Sequence, residues 1–337
     1  MTILFAANTP ADFLQADDDH GLFYSTDTES RDANYVPHDI GFTAYEYAAT
    51  PFGMEFSSPS TDFWLHCRVY IPGVSSSGAR NDFYLLALYD ASDNMIARIR
   101  GFDADFYAQA IADTTVTGAS MPTGANRTWI LDLHVVVNGT TDITVDMYLN
   151  GARVSSATAA NTGGLGGVSR VLFENNNVAN VAGGGTSDTM HYSEIVCLDG
   201  ESPRGWRLSE LFPASAGDHT DFDGDYTELG DENLASAAAG GANGDRVSSN
   251  LSTYNGPASS SAIRAVVSKA VAAKGTTGPG TLVQSLRIGA TDYDGSSVAL
   301  STDYASLMEV WDNNPATASG WATSDFAGTQ IGLKAET

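Results

Sequence analysis

Hydrophobic and polar residues alternate along much of this chain with the two-residue period of β-strands. The segment 129–137, WILDLHVVV, places one tryptophan and four aliphatic residues on a single face. Asn138-Gly139 follows, then the alternating segment 143–149, ITVDMYL, and then Asn150-Gly151. Asn-Gly pairs favour tight hairpin turns because both residues tolerate positive φ. Alternation bounded by such turns predicts three consecutive antiparallel strands over 129–156.

Strand-like periods also dominate the rest of the N-terminal part. Segments 63–71, 95–100, 168–173 and 191–198 show strand character, whereas 83–89 is apolar on both faces and predicts a buried central strand. No long helical period occurs in the sequence. Many short strands separated by turn residues predict an all-β protein built from sandwiches.

The composition changes after Asp199-Gly200, which predicts a boundary between two domains. Residues 201–205, ESPRG, suit a joint, and the next stretch is rich in Gly, Ala, Ser and Asp. Firmer strands are then predicted at 262–270, 282–288, 297–300, 305–310 and finally 331–334, with Asp294-Gly295 turning the middle pair. We therefore expect a β-sandwich domain over 1–199 and a smaller β-sandwich, anchoring domain over 200–337.

The chain is strongly acidic, with 41 acidic and 16 basic residues and a formal net charge of −25. Such a surface repels nucleic acid and anionic lipid, so neither is expected as a partner. The first residues, MTILFAANTPADF, lack the features of a secretory signal, and no apolar run predicts membrane insertion. Cys67 and Cys197 lie in apolar strand patterns and are either buried thiols or a bridge between strands.

Particular residues of both halves resemble known families. The hairpin that runs from Trp129 through Tyr148-Leu149-Asn150-Gly151 resembles the central hairpin of the concanavalin A-like, or laminin-G-like, jelly roll. The C-terminal pieces resemble the ends of structural proteins of tailed bacteriophages. These pieces are Asn314-Pro315-Ala316-Thr317, Trp321-Ala322-Thr323-Ser324-Asp325 and Gly332-Leu333-Lys334, together with the junction 191–213, HYSEIVCLDGESPRGWRLSELFP.

The second resemblance implies a structural component of a tailed-phage virion, assembled in the host cytoplasm. It implies other virion proteins as partners, and we expect a homo-oligomer. The jelly-roll resemblance implies recognition of glycans, so a host-surface glycan is a candidate ligand and a carbohydrate-binding adhesin is the alternative function. The sequence leaves open a place on the head, as decoration protein, fibre or spike, or on the tail, as tip or fibre.

Carboxylates do not form the pattern of a glycoside hydrolase. Jelly-roll hydrolases carry a Glu-x-Asp-x-x-Glu spacing on one strand, whereas Asp132 and Asp146 are single here, and Asp103 and Asp105 lack a third carboxylate. The sequence also lacks a nucleophile elbow, a His-Glu-x-x-His helix and a phosphate loop. We therefore predict no catalytic residues and no enzymatic activity, with a glycoside hydrolase as the second alternative.

Six side chains are predicted to share one polar sheet face, which we call the aromatic–polar face: Trp64, His66, Arg68, Tyr70, His134 and Tyr148. Aromatic rings over a sheet suit stacking against sugars, while arginine and histidine supply hydrogen bonds. The same face could instead pack against the second domain or against a neighbouring subunit. The sequence therefore marks these residues as carbohydrate-binding or interface residues.

One acidic loop has the spacing of a calcium site. Carboxylates occupy positions 1, 3, 5 and 12 of a calcium-loop pattern: Asp221, Asp223, Asp225 and Glu232. Tyr226 stands at position 6, where such loops require glycine. Ca2+ is the one candidate cofactor, and a solvated acidic loop without an ion is the alternative.

Overall fold

A computed structural model of the chain describes residues 2–8, 13, 22–25, 39–43, 52–71, 82–102, 105–122, 127–173, 189–230, 236–254 and 262–337. The described part is almost entirely antiparallel β-structure. It forms two compact units, Met1–Leu208 and Ser209–Thr337. The all-β prediction is confirmed.

Fifteen strands are described in the first unit. In chain order they are β1 (Thr2–Ala7), β2 (Leu22–Ser25), β3 (Asp39–Thr43), β4 (Phe52–Ser60), β5 (Asp62–Ile71), β6 (Asp82–Tyr89), β7 (Met95–Phe102), β8 (Asp105–Ile111), β9 (Thr115–Thr117), β10 (Met121–Pro122), β11 (Arg127–Asn138), β12 (Asp142–Leu149), β13 (Ala152–Ala160), β14 (Val168–Phe173) and β15 (Thr189–Asp199).

These strands form two sheets that enclose one core. The first sheet has the order β13-β12-β11-β5-β15-β3-β2, with β1 also paired to β15. The second sheet has the order β10-β8-β7-β6-β14-β4, with β9 paired to β8. Alternate residues of both sheets fill the core, among them Leu65, Leu133 and Val145 from the first and Leu88 and Ile99 from the second. The outer faces of the two sheets are therefore the surfaces on which a site can be built.

Turn residues fix the register of the central strands. Asn150 and Gly151 have φ of 50° and 80° and form the two-residue turn that the sequence predicts between β12 and β13. The turn after β11 is one residue longer, since Asn138 pairs with Asp142 and Gly139 has a φ of 51°. Because side chains alternate along a strand, this register decides which residues meet on each face.

The two cysteines are free thiols in the buried core of the first unit. Cys67 lies on β5 and Cys197 on the neighbouring strand β15, whose register places Cys197 opposite Leu65. Of the two interpretations of the sequence, the structure therefore has the buried thiols.

Within 209–230, 236–254 and 262–337, the second unit shows seven strands and two short helical turns. They are β16 (Pro213–Thr220), α1 (Tyr226–Gly230), β17 (Arg246–Leu251), β18 (Val266–Ala272), β19 (Thr281–Ile288), β20 (Thr291–Ala299), β21 (Ala305–Trp311), a 3-10 turn (Thr323–Phe326) and β22 (Thr329–Glu336). Five strands form a sheet in the order β16-β17-β22-β19-β20, and β18 pairs with β21. A small core joins them, with Phe222, Val247, Leu282, Leu307 and Ala335 buried together.

Asp294-Gly295 is not a turn, and that prediction was wrong. Both residues lie inside β20, and the chain reverses instead before Thr291, next to Gly289 with its φ of 62°. Glycine at 295 leaves room for close packing, because a Cβ there would lie 2.7 Å from the Glu309 side chain and 3.0 Å from the Gln284 carbonyl oxygen. A turn-like dipeptide can thus mark a close approach within a strand.

No helix in the described part of the chain is long and apolar enough to cross a membrane.

Candidate functional site

The outer face of the first sheet brings together three of the residues that the sequence assigns to the aromatic–polar face. His134 lies opposite Trp64 in the register of β11 and β5. Their rings stack with centroids 3.9 Å apart and planes 10° apart, and the Tyr148 ring lies 5.8 Å from Trp64. His134 also contacts Asp62, with Nε2 2.7 Å from a carboxylate oxygen. These three rings form one continuous aromatic platform.

The other three predicted residues are not part of this platform. His66 is buried and pairs with Asp132, at 2.6 Å between Nδ1 and Oδ1. Arg68 points its Nε at Glu194, 3.5 Å away. Tyr70 lies further along β5, where its ring meets the edge of His191 at 5.8 Å between centroids. The six predicted residues therefore lie on one sheet but do not form a single site: three make the platform, and the other three have separate partners.

The chain itself covers the platform with residues 200–208, which we call the strap. The Arg204 guanidinium lies 4.5 Å from the Tyr148 ring centroid and 5.9 Å from that of Trp64, within cation–π range. Trp64 is only 7% exposed. The sequence placed the strap in the second domain, whereas it belongs to the first compact unit. Sugar binding on this face stays a prediction.

The predicted calcium loop is only partly described, because Glu232 lies outside the described residues. Asp221 accepts a hydrogen bond from the Arg246 backbone N–H, and Asp225 accepts two from Thr227. Asp223 pairs through its backbone with Ala239. No group of three His, Cys, Asp or Glu side chains able to hold a metal ion occurs among the residues that the structure describes. Calcium at this loop stays a prediction.

The outer face of the second sheet carries a cluster that the sequence analysis missed. We call it the arginine–tyrosine face; its members are Tyr84, Tyr89, Arg98, Arg100, Tyr107, Gln109 and Arg170. Arg98 and Arg100 alternate with buried Ala97 and Ile99 on β7, so both arginines point outward. That Ala-Arg-Ile-Arg alternation was the signal available in the sequence.

Arg98 is held from two sides. Its Nε donates to Gln109 Oε1, and its guanidinium lies 4.3 Å from the Tyr84 ring centroid. Gln109 is 2% exposed, and its Nε2 in turn donates to Thr117 Oγ1 over 2.7 Å. The terminal nitrogens of Arg98 have no protein partner within the described ranges. The geometry thus fixes a guanidinium at the sheet surface with its donors available.

Arg170 forms the second guanidinium–tyrosine pair of this face, but it is already neutralised. Its guanidinium lies 4.7 Å from the Tyr89 ring centroid, and its Nη2 is 2.8 Å from Asp93. A more distant carboxylate, Glu55, stands 3.7 Å from Nη1. Arg98 is therefore the better placed of the two to bind an anionic group.

The fold defines this protein as an all-β molecule with jelly-roll-like sandwich architecture. No protein-family model matches the chain, and no curated protein matches it either. The similar solved structures include an endo-β-1,4-glucuronan lyase from the fungus Trichoderma reesei, at a TM-score of 0.43 and 9% identity, covering 59% of this chain and 96% of the lyase.

Two further structures show the range of proteins with a similar fold. Alginate lyase Aly36B in complex with alginate trisaccharide gives a TM-score of 0.40 at 11% identity, covering 58% of this chain and 98% of the lyase. The binding domain of Paraclostridial Mosquitocidal Protein 1 gives 0.41 at 12% identity, covering 58% of this chain and 48% of that one. At such identities the likeness concerns the fold alone.

The prediction of no enzymatic activity is contradicted by these comparisons, because polysaccharide lyases are among the structures similar to the chain. The spacing of carboxylates in the sequence bears only on glycoside hydrolases. Of those carboxylates, Asp132 is buried against His66 and Asp146 stands 3.5 Å from Arg153, while Asp103 lies outside the described residues. A missing hydrolase motif was therefore too narrow a basis for excluding every enzyme.

Proposed function

We propose that the first unit binds an acidic polysaccharide at its arginine–tyrosine face, as the glycan-recognition module of a tailed-phage virion protein. The observation that carries the proposal is Arg98, fixed by Gln109 and Tyr84 with its terminal nitrogens available among the described residues. A guanidinium held in this way binds carboxylate through paired, charge-assisted hydrogen bonds.

The neighbouring tyrosines supply the second element of sugar recognition. Tyr107 and Tyr84 lie opposite Arg100 on the two strands that flank β7. Aromatic rings beside hydrogen-bond donors suit a sugar ring, which has an apolar face and a polar rim. In a chain of net charge −25, the guanidinium of Arg98 on this sheet face also provides local attraction for an anion.

The virion setting rests on the ordered C-terminal motifs, from Asn314-Pro315 to Gly332-Leu333-Lys334, and on the junction at 191–213. A surface module that holds the host's polysaccharide would suit such a particle. Purified particles would test the setting directly, since antibodies against this chain should label them at regular positions. Failure to find the chain in any particle would contradict the proposed virion role, whereas the proposed polysaccharide binding would not be affected.

Binding is tested with immobilised polysaccharides. The lyases similar to this fold are named for glucuronan and alginate, polymers of acidic sugars, so these are the first ligands to try, with neutral dextran for comparison. We expect Arg98→Ala to weaken binding by about tenfold or more, since a charge-assisted bond contributes roughly 1.5–3 kcal/mol. Arg153→Ala, an exposed arginine on β13, is the matched control.

Two outcomes would count against the proposal: equal binding to acidic and neutral polymers, or equal loss in both arginine variants. The same samples show whether bound polymer is cleaved, because a lyase leaves an unsaturated sugar that absorbs ultraviolet light. Cleavage that Arg98→Ala abolishes would add an activity to the binding function.

A further inference from the structure

We propose that the outer face of the first sheet recognises a peptide segment with Arg-x-x-Arg spacing, and that the strap is its intramolecular ligand. Arg204 and Arg207 of the strap occupy two separate positions on this face. The first lies over the aromatic platform, and the second reaches a buried carboxylate. This inference is independent of carbohydrate binding on the other sheet.

The first position binds a guanidinium by its shape. Trp64 and Tyr148 are tilted by 31° toward one another, and Arg204 lies over both rings. A planar, weakly hydrated cation suits such a surface better than a lysine ammonium, because it can stack as well as attract. Arg204 is itself exposed to solvent, so a competing arginine can approach the rings without opening the sandwich.

The second position requires a guanidinium because of its charge. Glu194 is fully buried in a bulge of β15, with a φ of 53°. Arg207 Nε and Nη2 donate to its two carboxylate oxygens over 2.7 and 2.8 Å, and the Leu208 N–H donates over 3.3 Å. Arg68 of the sheet also lies 3.5 Å from this carboxylate, so without Arg207 the buried Glu194 keeps one more distant cationic partner and loses its bidentate pair. The position therefore favours a bidentate cation.

The sheet is built to hold that carboxylate in place. The Glu194 backbone N–H donates to Asn8 Oδ1 over 3.0 Å, which fixes the bulge. Glu194 is the residue of the bulge with positive φ, a conformation that costs free energy for a residue with a side chain. Such a conformation persists at a position where the surrounding contacts compensate for it, here the pair with Arg207.

The charge of the face without the strap also favours a cationic segment. Among the described residues, its carboxylates include those of Asp62, Asp132, Asp146 and Glu194, and its guanidiniums include those of Arg68 and Arg153. The strap adds two more arginines, three residues apart, in the sequence Arg204-Gly205-Trp206-Arg207. The partner that fits is therefore an extended segment with the same spacing of arginines.

A peptide added to the full-length chain tests this recognition. The double variant Arg204→Ala/Arg207→Met removes both side chains of the internal ligand. A labelled peptide with the sequence of residues 201–210 is then titrated, beside a matched peptide with alanine at both arginine positions. We expect the arginine peptide to bind the variant at least about tenfold more tightly than the alanine peptide. Its binding to the wild-type chain should be weaker, because the strap competes.

Two controls make the result specific. Adding Trp64→Leu to the double variant should reduce binding of the arginine peptide, whereas adding Thr115→Ala, at an exposed position on β9 in the other sheet, should leave it unchanged. If melting curves show that the double variant does not fold, the same two peptides are titrated into the single variant Arg204→Ala, which tests binding at the platform. Equal binding of the two peptides, or no binding of either to a folded variant, would overturn the inference.

Discussion

His66 and Asp132 face each other across β5 and β11, with Nδ1 2.6 Å from Oδ1 and both side chains only 1% exposed. The pair lies on the outer side of the first sheet, yet it is as inaccessible as the core beneath it. The neighbouring residue Cys67 points into that core. The pair satisfies one atom of each side chain, while His66 Nε2 and Asp132 Oδ2 are buried without a hydrogen-bond partner within the described part of the chain. The contact between Nδ1 and Oδ1 therefore offsets much of the cost of burying these two side chains.

Replacing Asp132 should therefore destabilise the first unit markedly. We expect Asp132→Ala to lower the free energy of unfolding by about 3–5 kcal/mol, the range for a buried pair that loses one partner. Asp146→Asn, on the adjacent strand beside exposed Arg153, should cost less than about 1 kcal/mol. Urea unfolding of the full chain measures both. Similar losses of unfolding free energy in the two variants would contradict a specific stabilising role of the His66–Asp132 pair.

The alternation of residues predicted the aromatic platform because it depends on register alone. The turn after β11 places Tyr148 on the same face as His134, and Trp64 joins them through the long-range pairing of β5 with β11, which no turn fixes. Alternation could not reveal that the strap covers this face, since Arg204 lies in a segment without period. For the same reason, the outward positions of His66 and Asp132 suggested exposure, while the structure buries them.

The arginine–tyrosine face shows a different limit of sequence reasoning. Arg98 and Gln109 lie on neighbouring strands, and their contact depends on a register that no Asn-Gly turn marks. In the second unit, Asp294-Gly295 carried a turn signal, but glycine there leaves room for the Glu309 side chain. Local residue preferences predict local geometry well only where no distant side chain competes for the same space.

Three carboxylates of the second unit, each hydrogen-bonded to an arginine or a lysine, should make the stability of this unit depend on pH. Hydrogen bonds from Arg246 lower the pKa of Asp294, and those from Arg287 lower the pKa of Asp218. The hydrogen bond from Lys334 lowers the pKa of Glu336. In each case the folded unit holds its protons less tightly than the unfolded chain, so stability is present above the ordinary carboxyl pKa and is lost as pH falls.

We therefore expect the unfolding temperature of the second unit to fall as the pH is lowered through about 4, the ordinary range for these carboxyl groups. Calorimetry of the full chain at a series of pH values measures this. Asp294→Asn should flatten the dependence, whereas Asp303→Asn, at an exposed position between β20 and β21, should leave it unchanged. A stability that stays constant from about pH 7 to about pH 3 would contradict the expectation.

Asn161 should be a major stabilising residue of the loop after β13. It is fully buried; its Nδ2 donates to the Gly139 and Leu165 carbonyl oxygens over 2.6 and 3.0 Å, and its Oδ1 accepts from the Leu165 N–H over 2.9 Å. Asn161→Ala removes these hydrogen bonds from a buried side chain to half-buried Leu165 and to exposed Gly139, so we expect a loss of about 1–3 kcal/mol in total. Urea unfolding should show a loss well above that of exposed Thr140→Ala, which should stay within about 0.5 kcal/mol.

The two cysteine thiols should be unreactive in the folded protein. Burial raises the pKa of the Cys67 thiol, with the nearby charge of Asp132 adding to the effect, and burial also raises the pKa of Cys197. Because the thiolate is the reactive form, a thiol reagent at about pH 8 should modify neither residue until the first unit unfolds. Alkylation followed by mass spectrometry across a urea series measures this, and the modified fraction should track the unfolding transition.

Ser156→Cys, at an exposed position of β13, supplies the reactive control. Rapid modification of either native cysteine without denaturant would show that the core opens locally around β5 and β15.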